Sequence, residues 1–228
     1  NQYKINGSKT FITNGGSADL ICLAVKTDPK QGSKGISLLM IETDDLEGFR
    51  RGKPLKKVGM KGNDTAELFF DNVKIPQTNL LGPEEGKGFY QLMKQLPWER
   101  LYIGIAGLGA ADCALEETLK YVKERKAFGK RVFDFQNTKF KLAELKTKTE
   151  VTRSFINDCI QKLVAEDLDA ATASMAKYWG SQIQGEILDE CVQLHGGYGF
   201  MAEYPVARMW TDARVQKIYG GTNEIMKE

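Results

Sequence analysis

The sequence holds a single histidine, His195, in 228 residues. A multi-histidine metal site is therefore excluded, and no cluster of Cys, Asp or Glu at ligand spacing stands beside it. A Ser-His-Asp triad would have to use His195, which lies in a glycine-rich turn, LHGGYGF, a poor setting for an oriented base. Cysteine is scarce as well. Cys22, Cys113, Cys159 and Cys191 are widely spaced and form no CxxC pair, so they read as small apolar residues of a reducing compartment rather than a disulfide framework or zinc site. No apolar run reaches the roughly 18 residues that a membrane-crossing helix needs. Charge of one sign is also missing: 32 basic and 30 acidic residues leave +2, which lends nucleic-acid binding no electrostatic support. The densest basic stretch, Arg50, Arg51, Lys53, Lys56, Lys57 and Lys61, reads first as a solvated face and second as a docking patch for an acidic partner.

What is there is ordinary globular composition, 42% hydrophobic and 27% charged, enough for one large domain or two modest ones. Residues 1–82 read as a β-domain. Short β-branched and aromatic segments alternate with Gly, Asn, Asp and Pro. Ser8–Asn14 leads into a hairpin-type turn signal, Asn14-Gly15-Gly16. Leu20–Thr27 reads as a strand buried on both faces, and Gly35–Glu42, Lys57–Lys61 and Ala66–Val73 as further strands. Such strands suggest an antiparallel sandwich or barrel. Residues 83–228 read as helical. Glu84–Met93 is one stretch, Pro97 falls at a break or first turn, and helix continues from Glu99 to Lys123. Asn137–Val164 carries apolar rows at Val151, Phe155, Cys159, Leu163 and at Ile156, Ile160, Val164. A third row runs Ala171, Met175, Trp179, Ile183, Ile187, Cys191, capped at its start by Asp169 and stopped by Gly196-Gly197. Glu203–Lys217 reads as a shorter helix. The fold class is α+β and multi-domain, a partial antiparallel β-barrel or sandwich followed by an up-down four-helix bundle. Asn1–Ile5 reads as a strand already in progress and Glu224–Glu228 as the first turn of an unfinished helix, so the chain is expected to be a fragment of a longer protein, with its targeting region absent.

Several local patterns bear on chemistry. Gly104–Ala111 (GIAGLGAA) is not in GxGxxG order and lies in a helical segment, so it reads as close helix packing rather than a dinucleotide fingerprint. Arg125–Lys130 (RKAFGK) is a positive helix end suited to the helix dipole or to a phosphate. Gln193–Gly199 (QLHGGYG) is either a plain helix stop or a backbone that a ligand can approach closely. Tyr219–Glu224 (YGGTNE) sets two glycines before a Thr able to cap a new helix, whose exposed amides suit anions. Glu99 reads on local grounds as a surface carboxylate. Beside Trp98 in a dry pocket its pKa would rise, and it could act as a base.

In chain order, GSKTFITNG, ERKAFGK, QLHGGYGFMAEYP and IYGGTNEIMKE together resemble the acyl-CoA dehydrogenase family over essentially the whole chain, with the long-chain type the nearest in pattern. The resemblance implies a middle β-domain and a carboxy-terminal helical domain of a homotetrameric FAD enzyme. Such an enzyme converts fatty acyl-CoA thioesters to trans-2-enoyl-CoA in fatty-acid β-oxidation and passes electrons to electron-transferring flavoprotein. It implies that Phe11, Ile12 and Thr13 lie against the flavin ring and that Arg125, Phe128 and Gln136 contact FAD. Gln193, Leu194, His195, Gly196 and Gly197 form the loop reaching the FAD of a neighbouring subunit, His195 being a bystander, and Thr222, Asn223 and Glu224 close over the cofactor. Tyr90, Pro97, Trp98, Arg100, Tyr219, Gly220 and Gly221 fall around the acyl-CoA. The setting implied is the mitochondrial matrix in a eukaryote and the cytoplasm in a bacterium.

One departure from the family pattern matters. Most members carry the catalytic glutamate directly after the tyrosine of IYEGT, where this chain has Gly220. A subset, the long-chain and isovaleryl types, has glycine there and places the base on the helix after the β-domain. LPWER matches that arrangement, which implies Glu99 as the base. The thioester oxygen would then accept hydrogen bonds from a backbone amide at or beside Gly220 and from a hydroxyl of FAD. Two other readings stay open: an acyl-CoA oxidase of the same architecture, and a non-catalytic assembly or scaffold paralogue, for which Gly220 speaks and against which Glu99 speaks.

Overall fold

The computed structural model describes residues 1–228. They form two compact units, Asn1–Lys94 and Gln95–Glu228.

In the first unit β1 (Gln2–Thr13) pairs antiparallel with β5 (Thr65–Pro76), whose other edge takes β4 (Phe49–Arg51). A separate antiparallel pair joins β2 (Leu20–Lys26) to β3 (Ile36–Glu42). Alternation builds the core between them: Leu68 and Phe70 of β5, then Val73 and Ile75, meet Ile5, Leu23, Leu39 and Ile41. The slip in that alternation is a bulge. Asn72 sits at φ 54, and its amide donates to Asn6 Oδ1 at 2.9 Å while the β1–β5 register shifts between Ile5 and Gly7.

Three expectations fail here for identifiable reasons. The Asn14 turn does not close a hairpin; it carries the chain from one sheet to the other. The Asp64 carboxylate holds it by accepting from Gly16 N at 2.6 Å and Ser17 Oγ at 2.8 Å. Strand β2 is not buried on both faces. It is an edge strand of a two-stranded sheet, so Leu23 is covered while Leu20 and Cys22 are exposed. Lys57–Lys61 is a loop, not a strand; Met60 takes φ 50, and Lys57 Nζ turns back to the Asn63 carbonyl. The strand that exists in this region is β4, entered through Gly48 at φ 82, where a side chain would collide with the Asp71 carbonyl. These contacts also break up the basic cluster. Arg50 stacks 4.0 Å above Phe69, and Arg51 donates to the Ala18 carbonyl and the Thr43 hydroxyl.

Helix α1 covers Gly88–Glu124 with Pro97 inside it, rather than breaking there. The proline removes one hydrogen bond to the preceding turn, and that turn, Leu92–Gln95, is exposed to water. From Gln95 onward α1 belongs to the second unit, with α2 (Gln136–Val164), α3 (Ala170–His195), α4 (Pro205–Ala213) and α5 (Asn223–Lys227). The glycine run packs helices, as its composition predicts: a Cβ on Gly180 of α3 would stand 2.7 Å from Gly104 Cα. One core gathers Ala111, Ala114, Leu115, Leu145, Ile183, Ile187, Leu188, Cys191 and Val206; a second gathers Leu101, Leu108, Ile156, Cys159 and Ala176. Asp169 caps α3, its carboxylate accepting from Thr172 N at 2.8 Å.

The apolar rows are only half right. Ile183, Ile187 and Cys191 are buried, but Ala171, Met175 and Trp179 are not. A step of four residues overshoots one turn by about 40°, so the row walks off the core face. The covered face of α3 includes Ala173, Ala176, Lys177, Gly180 and Ser181 instead. In α2, Val151 and Val164 are exposed while Thr149 and Thr152 are buried; Thr149 bonds back to the Leu145 carbonyl and Thr152 accepts from Trp179 Nε1. Glu203–Lys217 is α4 followed by a tight turn, Arg214–Lys217.

Candidate functional site

The end of α3 and the end of α1 meet in a pocket of about 490 Å³. Arg125, first residue past α1, lines it with Tyr121, Gln193, Leu194, His195, Gly196, Gly197 and Tyr198. The Arg125 guanidinium lies 5.2 Å from the Tyr198 ring centroid and has no carboxylate partner. Gly196 (φ 61) stops α3, and nothing lies within 4 Å of where a side chain on Gly196 or Gly197 would sit. His195 is buried. Its Nδ1–H donates to the Cys191 carbonyl at 2.8 Å, its ring stacks on Tyr121 at 4.2 Å, and burial pushes its pKa down. A neutral, tightly packed imidazole braces the pocket wall. An unpaired arginine beside open glycine backbone is a ready site for an anion.

After Arg125 the chain forms a hairpin, β6 (Lys126–Ala127) and β7 (Lys130–Arg131). Phe128 (φ 51) and Gly129 (φ 80) form its two-residue tip, both with the positive φ of a type I′ turn. The tip holds Phe128 out in solvent, 95% exposed. Gln136, the first residue of α2, is also exposed. Neither residue lines the pocket.

A second cluster forms around α1 and the loop before α5. Tyr219, Gly220 (φ 66) and Gly221 (φ 96) cross α1, and a Cβ on Gly220 would stand 2.5 Å from Ile103 Cδ1. Tyr219 is half-buried beside Tyr102, and burial raises its phenol pKa. Tyr102 in turn stacks on Trp98 at 5.8 Å. Glu99 lies one turn before Ile103, on the same helix face. The dry setting beside Trp98 is not built by these residues: successive side chains diverge by about 100° on a helix, and Glu99 and Trp98 are both exposed. Arg100 faces the other way, donating to Ser174 Oγ at 2.9 Å. Thr222 caps α5, and Asn223 is buried against α3. Backbone and Thr222 hydrogen bonds hold the Glu224 carboxyl below its usual range.

Phe11, Ile12, Thr13 and Tyr90 lie in the first unit. Phe11 takes φ 59 where the β1–β5 register shifts between Lys9 and Ile12, and it is 76% exposed. A bulky residue held left-handed in a strand is strained, a cost of order 1–3 kcal/mol that persists only where the surroundings impose it. Tyr90 is exposed.

Sequence reasoning did not single out Tyr121 or Ile103, which carry no motif of their own, and it named Tyr198 only as part of QLHGGYG. Lys177 was also missed. Its only signal is a charged residue on the covered face of α3.

The units thus define a protein with an antiparallel β-part, a helical part, and a glycine-rich helix end open beside an unpaired arginine. The acyl-CoA dehydrogenase middle-domain model matches residues 1–73, and the C-terminal-domain model matches residues 86–228. The chain belongs to the acyl-CoA dehydrogenase family, a family of oxidoreductases. It is 53% identical over 226 residues to the mitochondrial long-chain specific acyl-CoA dehydrogenase of Rattus norvegicus, a match covering 98% of this chain and 52% of that protein. It is 41% identical to the short-chain specific acyl-CoA dehydrogenase of Megasphaera elsdenii, across 98% of this chain and 58% of that one. The crystal structure of an acyl-CoA dehydrogenase from Geobacillus kaustophilus superposes with a TM-score of 0.96 at 50% identity, covering 99% of this chain and 60% of that one. The chain therefore spans about half the length of the curated relatives it matches.

Proposed function

We propose that the protein carrying this chain is an FAD-dependent dehydrogenase that forms a trans-2 double bond in long-chain fatty acyl-CoA thioesters, with Glu99 as the base. Residues 1–82 would be its middle β-domain and 83–228 its helical domain, the whole working as a homotetramer that hands electrons to electron-transferring flavoprotein, in the mitochondrial matrix or a bacterial cytoplasm. The observation that carries the reading is the packing of Gly220 on Ile103. Position 220 carries no carboxylate, and the contact brings the glycine loop onto the α1 face that bears Glu99.

The residues present fit FAD. Arg125, with no carboxylate partner, suits its pyrophosphate, with Phe128 and Gln136 as further contacts outside the pocket; Gln193, Leu194, His195, Gly196 and Gly197 would form the loop that reaches the FAD of a neighbouring subunit, His195 as a bystander. Phe11, Ile12 and Thr13, raised by the bulge, suit the ring, and Thr222, Asn223 and Glu224 the closing segment. The chemistry FAD supplies when bound is acceptance of a hydride equivalent from Cβ.

The rest falls to the protein. Glu99 takes the α-proton, leaving an enolate oxygen at the thioester. Backbone N–H groups at Gly220 and Gly221 stabilise the charge that develops there. Glu99 would lose water once a bound acyl chain covers it, which would strengthen it as a base. Trp98 and Pro97 would line the acyl side and Tyr219 the thioester, with Tyr90 a further acyl contact and Arg100 a CoA contact once it leaves Ser174 Oγ.

Anaerobic addition of saturated acyl-CoAs of several lengths to the FAD-loaded full-length protein tests this. Bleaching of the visible flavin band, greatest with long chains, is expected. A yellow protein that no acyl-CoA bleaches would overturn the reading.

A further inference from the structure

Lys177 is fully buried in the second unit, with no carboxylate hydrogen-bonded to it. Its Nζ donates to Asn223 Oδ1 at 2.8 Å, and Ser181 Oγ donates to the same oxygen at 3.1 Å. Burial holds its pKa down at about 8, Glu224 pulling it up and Arg100 pushing it further down. It therefore remains a cation at neutral pH. A buried ammonium is a poor way to stabilise a helix pair; an apolar residue of the same length packs there more cheaply. What the ammonium does hold is Asn223, which opens α5.

The segment before Asn223 needs holding. Gly220 and Gly221 are two consecutive residues at positive φ, with the largest backbone entropy to lose. The Thr222 cap bond to Ile225 N is long, at 3.4 Å. Asn223, 5% exposed, is the buried polar anchor of the loop.

We infer that Lys177 is a positioning residue: through Asn223 it fixes the Gly220–Gly221 backbone whose amides face the thioester. This rests on the function proposed above, and the test separates the two. In the FAD-loaded full-length protein, Lys177→Met should keep full FAD content and an equal or higher melting temperature. Amide exchange at 220–224 should quicken at least tenfold, and kcat should fall about 10- to 100-fold, the cost of a misplaced contact. Asn223→Ala removes the same anchor from the other side without touching the core of α3. It should reproduce both effects, and the double variant should be no worse than either single one. Exchange at 220–224 and turnover within twofold of wild type in either variant would overturn the positioning role. Faster exchange in variants of a protein that acyl-CoA never bleaches would keep the anchor and remove the dehydrogenase, because the exchange measurement needs no substrate.

Discussion

Ile103 Cδ1 lies 2.5 Å from the point that a Cβ on Gly220 would occupy. The loop lies against α1 with residue 220 at φ 66, a conformation that glycine holds without strain. Glu99 lies one turn away from Ile103 on the same face of α1.

Gly220→Glu should cost activity through the strain of a side chain at φ 66 and the displacement of Ile103. Strain and the clash with Ile103 should lower kcat/KM at least tenfold, and Ile103→Ala in the same chain should relieve part of that loss. Glu99→Gln should retain FAD and lose turnover by about 10²- to 10⁴-fold, the usual contribution of a general base. Steady-state kinetics at equal flavin content checks both, and a Glu99→Gln enzyme keeping more than a tenth of the rate would sink the assignment.

Gly180 and Gly104 approach so closely that a methyl group on either meets backbone: Gly104 Cα at 2.7 Å in one case, the Ala176 carbonyl at 2.6 Å in the other. Gly180→Ala should destabilise the helical unit by about 1–3 kcal/mol, the range for overpacking a close-packed interior. Denaturant unfolding should show a lower midpoint at unchanged slope.

His195 is buried neutral, with its folded pKa below the ordinary 6.5. The unfolded chain then binds more protons near pH 6, so stability rises with pH across that window and is lost as pH falls below 6.5 toward the folded value. Melting temperatures from pH 7.5 to 5 should fall more steeply in wild type than in His195→Gln. Equal slopes would mean that other groups govern the acid limb.

Much of this protein was legible from residues alone. Asp169 caps α3, Gly196 stops it, Gly104 and its neighbours pack helices, and the glycine turns at 196 and 220 take the positive φ that glycine permits. These are local rules, set by hydrogen bonds and sterics within a few residues. The family pattern, too, is carried by short motifs in fixed order.

Tertiary structure alone decided the rest. An apolar row at a step of four looks continuous, yet helix geometry rotates it off the core, so Met175 is exposed while Lys177 is buried. Leu20–Val25 is uniformly apolar, but burial depends on which strands lie beside it, and only β3 does. Phe11 is left-handed because β5 runs out of register with β1 there, and Gly220 lies against Ile103, more than a hundred residues earlier in the chain. Local propensity fixes which bonds a segment can make with itself. Contacts between segments distant in the chain depend on where each one ends up, and it is those contacts that shape the pocket and the glycine loop.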